Sequence, residues 1–218
     1  MPRSIPMGYG TARYDRFVEG LEALDESGRA LPVERSALDL GPRWTIGKEG
    51  ATVHRIRYRV NVGAMERSIL QASDTSKIRA RYAGLLGYSV FGFVEGLEDA
   101  PVKLAVHAPA DWPVFTTLAP SEKPVKGGAT ATAANFYELA DSQLVLGADL
   151  KVLKVEGTPP LYLACYAECE VDQGLVELMK QAARDPEPIT VKALIEAVRQ
   201  ATGVDVSRQI EAGMAPLL

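Results

Sequence analysis

Val53-His-Arg-Ile-Arg-Tyr-Arg-Val-Asn-Val62 is the stretch on which the fold class turns. Ile56, Tyr58, Val60 and Val62 fall on one side of it, and Arg55, Arg57 and Arg59 on the other. Side chains alternate with a period of two along an extended strand and with a period of 3.6 along a helix, so this pattern predicts a strand with one wet face. The arginine row Arg55, Arg57, Arg59 is a candidate face for an anionic partner, weighed against an ordinary solvated strand surface.

The alternation recurs on either side. Tyr88-Ser-Val-Phe-Gly-Phe-Val94 and Val102-Lys-Leu-Ala-Val-His107 repeat it, and Gly96-Leu-Glu-Asp-Ala-Pro101 reads as the turn that joins them into a hairpin. Further short strands are predicted at residues 17–24, 44–46, 114–118, 143–145, 152–155 and 161–166. Gly and Pro punctuate the gaps at Asp25-Glu-Ser-Gly28, Gly47-Lys-Glu-Gly50, Lys126-Gly-Gly128 and Gly157-Thr-Pro-Pro160. Many short strands without long intervening helices favour a mainly β chain, a β-sandwich, over a parallel α/β sheet.

After residue 170 the pattern changes to a helical one, so the chain divides into a β domain over 1–170 and a helical tail over 171–218, α+β overall. Asp172 can cap a helix whose apolar face is Leu175, Val176, Met179 and Ala183, closed by Pro186 and Pro188. Thr190 caps a second one, with Val191, Leu194, Ile195 and Val198 at i, i+3, i+4 and i+7 and Gly203 as its stop. A short third helix is predicted between Asp205 or Ser207 and Glu211. Such a stripe must dock on something.

The 218 residues, 47% hydrophobic and 24% charged, have the balance of an ordinary globular protein. A net charge of −4 from 24 basic and 28 acidic residues spreads no field of one sign over the surface, which disfavours nucleic acid and anionic membranes as partners. No run approaches the ~20 apolar residues of a membrane span. Met1-Pro2-Arg3 does not lead into a secretory signal, so a cytoplasmic location is expected, or a periplasmic one if a signal has been removed. Cys165 and Cys169 are too few for a disulfide scaffold. On one strand they would lie about 13 Å apart, beyond disulfide reach, and are read as free thiols.

A hydrolytic zinc site needs about three nitrogen, sulfur or carboxylate ligands and an open position. The chain has two histidines, His54 and His107, both in predicted strands, and no HExxH. It also lacks a Gly-x-Ser-x-Gly elbow, and Gly8-Tyr-Gly10 and Gly127-Gly128 lack the strand-to-helix setting of a phosphate loop. Glu138 and Asp141 are close enough in sequence to share an environment, with the ordinary alternative of polar loop or strand-end residues. No catalytic, metal or cofactor site is therefore assigned.

Three stretches carry a family resemblance. Pro2-Arg-Ser-Ile-Pro-Met-Gly-Tyr9, followed by the strand to Leu24 and Asp25-Glu-Ser-Gly-Arg-Ala-Leu31, is similar to the opening of the PDZ-containing glycyl aminopeptidases, the family-61 zinc metallopeptidases, except that Ser4 replaces a usual aromatic. Trp44-Thr-Ile46 and the strand at 53–62 resemble the continuation. Asn135-Phe-Tyr-Glu-Leu-Ala-Asp-Ser142 resembles that family's Y-D-E-L-V-D-S-P segment, with Gln143 where proline is common.

The resemblance implies an amino-terminal β-sandwich that packs against a thermolysin-like domain carrying zinc and HExxH. None of that domain's ligands is present, so no catalytic residue carries over. The stretch from Ala193 through Pro216 resembles the last helices of the same catalytic domain, which would place its missing middle between residues 184 and 190, whether by natural truncation or by engineering. The leading expectation is a non-catalytic β domain that packs on or recognises a protein, with Tyr137, Glu138 and Asp141 as the candidate contact surface and self-association as a further possibility. The alternatives are a sandwich binding a peptide or small ligand by strand addition, and an accessory part of a metallopeptidase whose catalytic domain is a separate chain.

Overall fold

The computed structural model describes residues 13–38, 41–69, 75–155 and 160–166. Within them the chain is mainly β, with several antiparallel sheets and a few short helices. The division at residue 170 and the predicted tail helices lie outside the described residues.

Strand β1 (Val18–Leu24) pairs on one side with β2 (Ala30–Leu31) and on the other with β5 (Arg55–Val60). Strands β3 (Val33–Leu38) and β4 (Gly41–Ile46) form a hairpin of their own. The largest sheet has five strands: β6 (Lys77–Ile78), β7 (Tyr82–Leu86), β9 (Pro113–Thr116), β10 (Val125–Lys126) and β12 (Gln143–Gly147). Their order is β10-β9-β12-β7-β6. Two further pairs are β8 (Val102–His107) with β11 (Gly128–Ala133), and β13 (Leu150–Val155) with β14 (Leu161–Tyr166).

The core sits on β12, which is hydrogen-bonded on both sides. Its Leu144 and Leu146 are buried with Ala83 of β7 and Val114 of β9. Leu104 and Val106 of β8 and Ala129 of β11 pack on this cluster, while the alternate β8 residues Lys103, Ala105 and His107 are exposed. That is the one-sided alternation read from the sequence, with the apolar side chains of the β8–β11 pair packed against this cluster.

The predicted hairpin of 88–94 with 102–107 is not formed. Gly87–Val90 is a helical turn, α2, residues 91–94 leave it without joining a ladder, and β8 pairs with β11. The reason is packing around Gly87. Its N–H donates to the carbonyl of Ser142 at 2.8 Å, and a Cβ there would meet the carbonyl oxygens of Leu139, of Ala140 at 2.7 Å and of Ser142 at 2.9 Å. A chain pressed this closely onto another backbone turns away from the sheet. The buried hydroxyls of Ser76 and Ser89 complete the corner: Leu86 N–H donates to Ser76 Oγ, Ser76 Oγ and Ser89 Oγ lie 2.6 Å apart, and Ser89 Oγ donates to Leu86 O. Because the Ser89 proton goes to that carbonyl, Ser76 is the donor between the two hydroxyls.

A second departure is at Val62. The sequence pattern carries the strand to this residue, but Asn61 ends it by capping helix α1 (Val62–Ser68), its side-chain oxygen accepting from Ala64 N–H at 2.9 Å. Met65 of α1 is then buried with Tyr14 and Phe17. Tyr58 ties β5 to α2 and the segment after it, its hydroxyl donating to Val90 O at 2.9 Å and accepting from Gly92 N–H at 3.2 Å. Burial of this phenol pushes its pKa above 10.0.

The turn after β1 follows its sequence. Asp25 accepts from Ser27 Oγ at 2.7 Å, Arg29 N–H at 2.9 Å and Arg29 Nε at 3.0 Å, with Gly28 at φ +81°. These bonds, the Ser27 hydroxyl first, hold the carboxyl at about 2.

Two predictions arise from this packing. Gly87→Ala is expected to cost about 1–3 kcal/mol through overpacking, read from denaturant midpoints, whereas Gly84→Ala, with nothing within 4 Å of the new Cβ, serves as the tolerant comparison; equal effects would refute the account. Asp25 has its folded pKa below the unfolded 3.8, so its contribution is full above pH 4 and fades as pH falls toward 2. Asp25→Asn should flatten the stability profile in that window, and an unchanged slope would contradict the turn's role.

Candidate functional site

The segment that resembles the aminopeptidase phrase forms helix α3 (Phe136–Asp141). Asn135 caps it by accepting from Glu138 N–H at 2.9 Å, and the Glu138 carboxylate reaches back to the N–H of Ala134. The reciprocal arrangement has the logic of a capping box, closing two backbone donors at the helix start. Phe136, Leu139 and Ala140 point into the core with Ala133, against Tyr88, Phe91, Val102, Leu104 and Leu118.

The outer side of α3 is therefore set by what the inner side buries. Tyr137 is 54% exposed, and Asp141, four residues on and also exposed, shares its face. Glu138 is exposed, but its carboxylate is engaged with the backbone. Of the three candidate contact residues, Tyr137 and Asp141 present free surface chemistry and Glu138 holds the helix.

The structure adds residues the sequence reading missed. Phe93, 42% exposed, stacks at a tilt on Phe136 with ring centroids 4.9 Å apart, and Phe136 also touches the ring of Tyr137 at 6.1 Å. Val94 and Leu97, 52% and 60% exposed, belong to the turn closed by Leu97 N–H to Val94 O. Glu98 O accepts from Phe136 N–H at 2.8 Å and fastens this loop to the helix start. The signal available in the sequence was Leu97, a large apolar residue within a turn rich in Gly, Asp and Pro.

The arginine row lies elsewhere. Arg55, Arg57 and Arg59 are exposed on β5, as the alternation predicts, but β1 sets Glu22 opposite Arg57 and Glu19 opposite Arg59. Cross-strand acids at these positions neutralise much of the row's field. Nearby, the fully buried Asp15 carboxylate lies 3.7 Å from Arg13 and 3.6 Å from Arg35, whose guanidinium also covers Trp44 at 5.4 Å. An open cleft of about 550 Å³ runs between the Asp25 turn and Ala51-Thr52. The Asp25 carboxylate in its wall already accepts the three bonds of its own turn.

These residues do not converge on a reaction centre. Among the described residues no three of His, Cys, Asp and Glu gather closely enough to hold a metal ion. His54 leads into β5 and His107 ends β8 opposite Gly128, in different sheets and both exposed. Cys165 lies on β14 opposite Lys151, and Cys169 lies outside the described residues. The described donor set does not fit a catalytic zinc, which needs three ligands on one open site.

Comparison with known proteins places this geometry. Among solved structures, an aminopeptidase N family protein from Idiomarina loihiensis matches with a TM-score of 0.67 and 21% identity, over 83% of this chain and 30% of that one. At that identity the likeness is one of fold, and the chain spans less than a third of the matched protein's length. No curated protein matches the sequence. The profile of the Peptidase M61 N-terminal domain matches residues 1–148, more than half of the chain, and the chain therefore belongs to the M61 peptidase family through this N-terminal domain.

Proposed function

We propose that this chain serves as a non-catalytic β domain that packs against or recognises a protein through the surface around Tyr137. The observation that carries the reading is the exposure of Phe93, Val94, Leu97 and Tyr137 on or beside the segment resembling the peptidase phrase, with Phe93 lying on Phe136 and the loop fastened to the helix start through Glu98 O. Apolar groups gathered this way gain by leaving water, at about 25 cal/mol per Å² buried, and such patches mark contact surfaces. The likeness covers 30% of the matched structure, and a domain that is a minor part of a longer protein has a protein surface as its natural counterpart. The packing of Leu104, Val106 and Ala129 of the β8–β11 pair on the core of the five-stranded sheet supports a sandwich as the arrangement of the domain.

A role as the accessory part of a metallopeptidase, with catalytic residues on another chain, is the second reading. It is favoured by the M61 match together with the scattered histidines. A peptide-binding module would use a strand edge such as β6, the outer strand among the described residues of its sheet, where Ile78 is 54% exposed, but that strand is two residues long and offers little ladder.

Protein purified without chelators is expected to contain no stoichiometric zinc by elemental analysis and to release no product from a glycyl anilide with zinc added. Turnover with bound zinc would overturn the non-catalytic reading. Urea unfolding separates contact residues from structural ones: Asn135→Ala and Glu138→Ala should each lose about 1 kcal/mol, and Tyr137→Ala less than about 0.5 kcal/mol. A loss at Tyr137 as large as that at Asn135 would make it a structural residue and remove it from the surface.

A further inference from the structure

We infer that the outer edge of β5 takes an extended protein segment as an added antiparallel strand, with acidic side chains set opposite Arg55 and Arg57. The inference goes beyond the reading above, because it concerns a different sheet from the surface around Tyr137.

The backbone is the first ground. In the order β2-β1-β5, β5 borders β1 alone among the described strands. Asn61 N–H donates to Phe17 O at 2.8 Å, so the backbone of residue 61 faces β1. Peptide groups alternate sides along an antiparallel strand, which turns Arg55, Arg57 and Arg59 toward β1 and Ile56, Tyr58 and Val60 away from it. The irregularity in this pairing adds its extra residue between Glu19 and Glu22 of β1, and leaves the alternation along β5 undisturbed. Ile56, Tyr58 and Val60 each bring one N–H and one C=O to the outer edge, a longer ladder than the two residues of β6 provide.

Charge is the second ground, and it selects the occupant. In an added antiparallel strand, the residues facing Arg55, Arg57 and Arg59 fall in non-hydrogen-bonded pairs, where opposite side chains come closest. A second copy fits poorly: outward residues must pair with outward residues, so every antiparallel register of β5 centred on itself sets arginine opposite arginine, and like charges there repel. Acids at alternate positions do the reverse. Glu22 and Glu19 already compensate Arg57 and Arg59 from the β1 side, and Arg59 Nη2 lies back over β1, 3.4 Å from where a Cβ on Gly20 would stand. Arg55 faces Leu24 and has no acid across that ladder. The row therefore draws no anion from a distance; it discriminates at contact, while the backbone ladder supplies the binding. Between the acids, an apolar residue meets Ile56, whose side chain is 37% exposed.

The test mixes the full chain with short end-capped peptides that alternate valine with glutamate or valine with lysine, and reads amide hydrogen exchange residue by residue by NMR. In the free chain the amides of Ile56, Tyr58 and Val60 are expected to exchange faster than those of Arg57 and Arg59. The glutamate peptide at saturation should slow these outward amides by roughly tenfold and leave Arg57 and Arg59 unchanged; the lysine peptide should do neither. Ile56→Pro removes an outward donor and no bond to β1, and should abolish the protection. Arg55→Gln/Arg57→Gln should weaken the glutamate peptide about five- to tenfold, the sum of two cross-strand ion pairs, and erase its advantage over the lysine peptide. Equal protection by the two peptides, or a preference that survives Arg55→Gln/Arg57→Gln, would overturn the inference. Outward amides already slow in the free chain would show that the chain itself covers the edge, and protection that rises with protein concentration would show that a second copy does; either result overturns it. Protection by neither peptide would leave arginines that only guard an edge against pairing, and overturns it as well.

Discussion

The close approach of the Gly87 backbone to the carbonyls of Leu139, Ala140 and Ser142 is the constraint on which the rest depends. It joins α2 to α3 at the point where β7 ends and β12 begins. The register runs from Leu86 opposite Gln143 to Tyr82 opposite Gly147. Its other end is equally tight, since a Cβ on Gly147 would meet Arg81 O at 2.7 Å and Tyr82 Cβ at 2.9 Å. A slip of one residue would turn Leu144 and Leu146 out of the core, so two backbone contacts that admit no side chain fix which face of β12 is buried. They also fix α3, and with it the outward direction of Tyr137.

The same corner connects the N-terminal sheet. Residues 87–93 run between two bodies of structure: the Tyr88 ring lies 5.5 Å from Tyr14 at a tilt, the Tyr58 hydroxyl holds Val90 and Gly92, and Phe93 lies on Phe136. Alternating apolar residues in this segment therefore serve different neighbours on different sides. A strand would direct them to two faces of one sheet, and that is why the alternation from Tyr88 to Val94 misled the sequence reading. The hydrogen bonds it would have made with β8 are made by β11.

What was legible in the sequence follows a physical rule. Strands with one wet face were found, as with β5, where Arg55, Arg57 and Arg59 are exposed while Tyr58 and Val60 are half-buried; Ile56, on the apolar side, remains exposed at 37%. Strand β7 was missed because Ala83 and Gly84 give it little apolar contrast, and β11 because Gly128-Ala-Thr-Ala-Thr-Ala133 consists of small residues. Helices α1 and α3 were missed although both carry an Asn cap, at Asn61 and Asn135, because each is two turns or less and has no room for a 3.6-residue period to show. The family phrase singled out the α3 segment without revealing that Glu138 works on the backbone. The exposure of Phe93 could not be found from pattern alone, since it is set by tertiary contacts.

Charge placement narrows what the domain can use for recognition. Arg79 is paired with Glu66, Arg81 with Asp149, Arg29 with Asp25 and Arg43 with Glu95, each at the surface. Exposed pairs of this kind contribute about 0–1 kcal/mol and are screened by salt, and their partners are local, so they hold loops in place more than they attract another molecule. The acids of β1 opposite Arg57 and Arg59 do the same for the arginine row. The exposed apolar side chains Phe93, Val94, Leu97 and Tyr137 differ in kind: what they gain comes from excluding water, which salt does not screen. Under the proposed function, contact would therefore be governed by apolar groups around Phe93 and Tyr137 more than by charge.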